Sequence, residues 1–374
     1  MSELQLKDLY DGFRDPDVIK ALAKSIIDEA KHLKEPLKLM EVCGGHTHTI
    51  MKYGLKQLLP DRIDFIHGPG CPVCIMPKER IDHAITLAQM SDTILLTLGD
   101  MIRVPGSKSS LAVERANGYD IRALYSPLDA LRIARENPDK KVVFFAIGFE
   151  TTTPMTAALL ELVEKQGITN LYFHINHVLV PPAVDAIMAD GQAKINAFIG
   201  PAHVSVISGA KIYQPLPEKY STPVVVSGFE PIDVLQSILM IVRQKNEARC
   251  EMEIQYSRSV TLEGNTKAQE MIEKFMEPRV HFRWRGIGDI PYSALALKAQ
   301  YAAYDAEKIF ADILPTEPID DHKLCICGTI LKGLAKPNDC QVFGTACTPN
   351  TPMGSCMVSS EGACNAYYRY GAIK

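Results

Sequence analysis

Short apolar runs alternate with longer stretches of helical period through most of this chain. The pattern predicts a helix over about Pro16 to Leu33, then a strand at Lys38 to Val42 that runs into a glycine turn. A helix over about Thr47 to Leu58, a strand at Ile63 to His67 and a helix over about Lys78 to Gln89 follow. Thr93 to Leu98 (TILLTL) reads as a buried strand, followed by a polar loop. Asp120 to Leu124 reads as a short strand and Ser126 to Glu136 as a helix. Apolar runs separated by helical patterns are the signature of βαβ units and parallel sheets.

The alternation then repeats. Lys141 to Ile147 (KVVFFAI) predicts a central strand, Thr152 to Lys165 a helix, Asn170 to Ile175 a strand and Ala183 to Asp190 a helix. Ala197 to Ile199 and Pro223 to Val226 are further strands, the second followed by a helix to about Lys245. The triplet Gly-Phe-Glu occurs twice, each time after a Val-rich strand. The expected fold is therefore α/β, with two similar Rossmann-like parallel-sheet lobes around a cleft. The division is expected near Asn137-Pro138-Asp139, giving residues 1–137 and 138–250 as the lobes. A mixed α/β connection at 251–314 comes next, with strands at Glu253 to Ser257 and Arg279 to Trp284 and helices at Thr266 to Met276 and Tyr292 to Phe310. A cysteine-rich module fills 315–374.

That last segment changes the picture. Cys325, Cys327, Cys340, Cys347, Cys356 and Cys364 stand among Gly, Pro and Thr, with few aliphatic residues to build a core. Such a segment needs a staple, either disulfides or a metal centre. The N-terminus is charged and lacks the apolar stretch of a secretory signal, and no run of about 18 apolar residues offers a membrane span. A cytoplasmic location is expected, where structural disulfides are rare and clustered cysteines serve as ligands or redox thiols. An iron–sulfur centre is favoured over zinc because no pair of C-x-x-C knuckles faces another at finger-like spacing, while the cysteine spacing itself matches neither a zinc ribbon nor the common ferredoxin run. Among 374 residues, 47% are hydrophobic and 22% charged, with a formal net charge of −4. No basic stripe points to nucleic acid. Neither the dinucleotide fingerprint nor the P-loop is present.

Three motifs stand at strand ends. In Cys43-Gly44-Gly45-His46-Thr47-His48, a thiol at a strand-to-helix turn faces backbone N–H groups, a setting that lowers a thiol pKa. His46 and His48 can add hydrogen bonds, a proton path or ligation. Gly68-Pro69-Gly70-Cys71-Pro72-Val73-Cys74 carries the C-x-x-C spacing of a reversible disulfide or of two metal ligands. In Gly148-Phe149-Glu150-Thr151-Thr152-Thr153-Pro154, Glu150 can act as acid, base or acceptor, and Thr151 and its neighbours can bind an oxyanion or cap the next helix. His174, His177 and His203 also lie at strand ends, where each alone reads as a structural histidine. Cys250, in a charged stretch, reads as incidental.

Together, CGGHTH at 43–48, GPGCPVC at 68–74, GFETTTP at 148–154 and the terminal block through CMVSSEGACNAYYRY resemble the HypD family of [NiFe]-hydrogenase maturation proteins, almost end to end. The resemblance implies two α/β lobes around a cleft plus a module holding a [4Fe–4S] cluster. It implies a scaffold on which the Fe(CN)2(CO) group is assembled, in complex with the chaperone HypC. Cyanide would come from HypE, supplied by HypF, and the hydrogenase large subunit would be reached indirectly. Cys43 would then bind the nascent iron, His46 would orient or protonate near it, and Cys71 and Cys74 would form a thiol/disulfide couple. Cys325, Cys340, Cys347 and Cys364 would hold the cluster, with Cys327 and Cys356 as an adjacent redox pair; exchanging Cys325 for Cys327 stays open. Two other readings are a stand-alone thiol–disulfide oxidoreductase and a zinc-stapled α/β binding protein.

Overall fold

In a computed structural model that describes residues 11–371, nine strands carry the alternation into two parallel sheets. They are β1 (Leu37–Glu41), β2 (Ile63–His67), β3 (Thr93–Leu98), β4 (Ile121–Leu124), β5 (Lys141–Gly148), β6 (Leu171–His177), β7 (Ala197–Pro201), β8 (Val224–Ser227) and β9 (Met252–Ile254). One sheet has the order β2-β1-β7-β8-β9 and the other β4-β3-β5-β6. The mixed α/β fold with parallel sheets is as expected. The expected lobe boundary is not where the sheets divide. β3 and β5 pair with each other across residues 137–139, and β7 returns to pair with β1. The four-stranded lobe is thus inserted between β2 and β7. Parallel neighbours are joined by crossovers of a dozen residues or more, so strand order along the chain does not reveal sheet membership. Residues 1–10 and 372–374, the ends of the first and last expected segments, lie outside the described residues.

The lack of polar positions in KVVFFAI has a direct cause. Val142, Phe144 and Ala146 face one apolar cluster, while Val143, Phe145 and Ile147 face another. A strand covered on both faces reads as a continuous apolar run. In the five-stranded sheet, Leu37 and Leu39 pack outward with the helices Pro16–Ala30 and Pro231–Asn246. Met40 and Val42 turn inward, to the core shared by both lobes and the cysteine module.

Helix ends follow local chemistry. Pro16 opens the first helix, and the Asp15 carboxylate accepts from Asp17 N–H at 2.8 Å. The helix after CGGHTH starts at Gly44 rather than Thr47 and stops at Lys52, where Gly54 takes φ +60° and a 3-10 turn Leu55–Leu58 continues. Three short helices of the lobes, Leu111–Ala116, Ala202–Ser208 and Pro215–Tyr220, form where the sequence pattern predicts none. The largest departure is Tyr292 to Phe310. There Leu295–Leu297 pairs antiparallel with Met276–Pro278, and only 3-10 turns and the short helix Ala306–Ile309 follow. Tertiary pairing overrides the helical preference of this Ala-rich stretch. Of the strand expected at 279–284, only Arg283–Trp284 forms, against Gly288–Asp289. Among the described residues, no helix is long and apolar enough to cross a membrane.

A candidate thiol site at the carboxyl edges of both sheets

A cleft of about 440 Å³ opens where the carboxyl ends of the two sheets face each other. Its walls are the loop after β2 (Gly70, Pro72), Asp100 after β3, Gly148, Thr151 and Thr152 after β5, His203 after β7, and Ser359 to Glu361 of the cysteine module. Open α/β sheets present ligand sites at this edge because the turns there lead into helix N-termini.

Cys43 ends the strand–turn segment of β1 and caps the helix Gly44–Lys52, its Sγ accepting from Gly45 N–H at 3.4 Å. Its thiol is buried and stands 3.8 Å from His203 Nε2. The lowered pKa expected for a thiol at a helix start is not what this site gives. Burial pushes the Cys43 thiol up, the Glu361 and Glu41 charges add to this, and the Gly45 and His46 N–H groups only partly oppose it. The thiol is therefore held protonated until a cation or a base draws the proton away.

His46 is fully buried. Its Nε2 donates to the carbonyl of Gly228 at 2.9 Å, while Nδ1 has no hydrogen-bond partner. Burial lowers its pKa to about 4. His46 and His203 both stack on a common neighbour, Phe229, at centroid distances of 4.6 and 4.9 Å. His203 is exposed toward the cleft, yet the protein packed around its ring lowers its pKa to about 4, leaving a neutral imidazole beside the thiol. His48 lies away from this group, edge-on to Tyr370.

Cys71 and Cys74 are joined as a disulfide. Their loop lies against Cys43: a Cβ at Gly70 would fall 2.2 Å from Cys43 N, and Gly44 N–H donates to the Gly70 carbonyl at 3.2 Å. Only glycine permits two backbones to approach this closely. Glu150 is buried below the cleft floor. Its Oε1 accepts from Val180 N–H at 2.9 Å, Oε2 has no partner, and burial raises its pKa to about 7. Thr151 lines the cleft. His177 donates no charge either: its Nε2 meets Thr156 Oγ1 at 2.8 Å and burial lowers its pKa to about 4.

The cysteine module touches this site at several points. Ser355 Oγ donates to the Cys74 carbonyl at 2.5 Å, one residue from Cys356. Glu361 packs on Gly44, whose Cβ would fall 2.3 Å from that of Glu361. Within the module, the Cys327 thiol contacts those of both Cys325 and Cys356, Cys364 adds to the raised pKa of Cys356, and Cys347 is raised by burial, with Cys325 and Cys327 adding to it. Cys340 stands apart, its Sγ 3.7 Å from the Leu324 carbonyl. Gly354 leaves the space between Cys325 and Cys327 open; a Cβ there would lie 2.7 Å and 3.7 Å from their sulfurs. Cys250 is remote, facing the Pro217 carbonyl.

A second convergence is structural. His83, His174 and Glu307 offer ligand atoms within 4.8 Å of one another. Yet Arg80 and Arg279 both bind Glu307, His174 Nε2 meets His83 Nδ1 at 3.0 Å, and His83 Nε2 donates to the Pro315 carbonyl at 2.7 Å. Two guanidiniums already neutralise the carboxylate, so the group reads as a packed polar junction, with His174 in the structural role expected of it. His203 is the residue that sequence reasoning undervalued. Its signal, GPAH at a strand end, matters only because β7 lies beside β1.

A family model named HypD, described as the hydrogenase formation hypA family, matches residues 17–371. The hydrogenase maturation factor HypD2 of Bradyrhizobium diazoefficiens is 52% identical over 371 residues, covering 97% of each chain. HypD of Azotobacter vinelandii is 50% identical, covering 96% of each chain. HypD of Escherichia coli is 43% identical, covering 96% of this chain and 97% of that one.

Proposed function

The chain belongs to the HypD family of hydrogenase maturation factors, and from that premise we propose that its cleft is where the Fe(CN)2(CO) group is assembled, in complex with HypC and with cyanide received from HypE, which HypF charges. The nascent iron is cargo, and the hydrogenase large subunit receives it indirectly. The observation that carries this reading is the meeting of Cys43, His203 and the Cys71–Cys74 disulfide at one cleft. Iron that carries cyanide and CO favours soft thiolate donors. When iron arrives, its charge draws the proton from the Cys43 thiol, and the neutral His203 imidazole beside it can pass that proton on to the solvent of the cleft. A cysteine of HypC shares the iron. His46 stacks on Phe229, the ring that also carries His203, and so helps to keep the His203 ring in place. The Cys71–Cys74 disulfide is the oxidised form; two electrons and two protons convert it to two thiols, and in that form this wall of the cleft would hold two reducing equivalents next to the iron-binding thiol.

We infer that the module holds a [4Fe–4S] cluster on Cys325, Cys340, Cys347 and Cys364, with Cys340 brought in from its place beside the Leu324 carbonyl. The donor set is all thiol, and Gly354 leaves room beside the Cys325 sulfur. When bound, such a cluster supplies single electrons. The contact between the Cys327 and Cys356 thiols supports keeping those two as the adjacent redox pair.

The test is anaerobic co-purification with HypC, read by infrared spectroscopy for metal-bound cyanide and CO, with iron and sulfide assayed on the same sample. Cys43→Ala is expected to remove the bands and the mononuclear iron while leaving the sulfide. Loss of sulfide as well would place Cys43 in folding. A brown protein without bands under every co-expression would transfer the weight to a thiol–disulfide oxidoreductase.

A further inference from the structure

Glu41 belongs to none of the motifs, yet it sits directly beneath the thiol turn. It ends β1, is fully buried, and accepts three hydrogen bonds. Cys43 N–H donates to Oε2 at 3.0 Å, and both Thr47 Oγ1 and His67 Nδ1 donate to Oε1, the latter at 2.7 Å. Cys43 and Thr47 bracket the first turn of the helix Gly44–Lys52, so one carboxylate anchors both ends of that turn. A buried carboxylate costs more than an apolar residue of similar size unless its partners compensate. Here every partner belongs either to the thiol turn or to His67.

His67 carries the connection onward. It ends β2 and lies in register with Glu41 across the parallel ladder. With Nδ1–H directed at Glu41, its Nε2 is an acceptor, and Tyr367 OH donates to it at 3.1 Å. The two rings also meet edge-on at 5.3 Å. Tyr367 lies on the helix Ala363–Tyr370, three residues after Cys364, which places both on one face of that helix. A single hydrogen-bonded line thus runs from the helix of Cys364 to the backbone of Cys43.

We propose that Glu41, His67 and Tyr367 form a positioning relay through which the helix bearing Cys364 sets the attitude of the Cys43 turn. The relay rests on the reading of Cys43 as the working thiol and Cys364 as a ligand in the module. Its consequence is that an incompletely assembled module leaves the Cys43 turn misplaced, so that cargo is taken up only by a finished scaffold.

The test measures the alkylation rate of Cys43 by iodoacetamide in the full chain, as a ratio to that of Cys250 in the same sample, by mass spectrometry. The ratio corrects for reagent concentration and reaction time, a urea melt of each variant keeps global unfolding separate, and neither iron nor partner is needed, so the result stands or falls apart from the iron-carrying role. Tyr367→Phe removes one hydrogen bond with little change of shape. It is expected to shift the ratio roughly threefold or more, the scale of one neutral hydrogen bond. Tyr368→Phe, on the exposed side of the same helix, is expected to leave it unchanged. Cys364→Ala should shift the ratio in the native chain but not in the Tyr367→Phe background. An unchanged ratio in Tyr367→Phe, or a Cys364→Ala shift that survives undiminished in that background, overturns the relay.

Discussion

Gly-Phe-Glu closes both β5, at 148–150, and β8, at 228–230, and the two copies diverge at the phenylalanine and again at the glutamate. Phe149 is buried and packs against Trp284, at 6.1 Å between ring centroids. Phe229 is half-buried and serves as the shared surface between His46 and His203. Glu150 is buried with one oxygen unpartnered. Glu230 instead reaches Arg14 at 2.5 Å near the surface, at the start of the helix Pro231–Asn246. The same three residues at the same kind of strand end thus make a core anchor and a titratable group in one sheet, and a site spacer and a surface ion pair in the other. What differs is the element packed above each: the junction of the two lobes over β5, and the N-terminal helix beside β8.

The comparison can be broken by truncation. Phe149→Ala is expected to destabilise the chain by about 3–5 kcal/mol in urea unfolding, as for other buried aromatics. Phe229→Ala should cost clearly less, because its ring is half-exposed; equal losses would mean that both copies are core residues. A smaller effect comes from Glu150. Its pKa is raised from 4.5 to about 7, so the folded state binds the proton more tightly than the unfolded one. Its contribution is therefore fully present below about pH 4.5 and is lost as pH rises through about 7. Glu150→Gln should flatten that decline, a difference of roughly 3 kcal/mol between the two ends of the window. Unchanged pH dependence of the urea midpoint would show that Glu150 is solvated. The smallest effect is expected from Glu230→Ala, about 0.5–1 kcal/mol from a partly exposed ion pair, measured by thermal unfolding.

Much of this was legible in the sequence. Strands such as Ile63–His67 and Thr93–Leu98 stand where their apolar runs place them, and the cysteine motifs lie at strand ends. What was hidden is long-range. Nothing in residues 197–201 says that they pair with β1, so neither the inserted lobe nor the approach of His203 to Cys43 could be read. Glu41 was hidden for a different reason: within KLMEV it looks like the polar end of an apolar run, and its burial follows only from donors that arrive from β2 and from the chain's last helix. The direction of the Cys43 pKa failed similarly, since the burial that raises it comes from distant segments, with the Glu361 charge adding from hundreds of residues away.

The insertion of β3–β6 between β2 and β7 also has a consequence for biosynthesis. Chains emerge from the ribosome N-terminus first, and domains fold as their residues become available. The four-stranded lobe has all its strands within 93–177 and can close while translation proceeds. β1 and β2 must wait for β7 and β8, and their thiol-bearing loops wait longer still for the helix Ala363–Tyr370. Throughout that interval Cys43, Cys71 and Cys74 are the earliest thiols made and stay uncovered for most of synthesis, which makes the nascent chain, rather than the finished protein, the form most exposed to oxidants and stray metal ions.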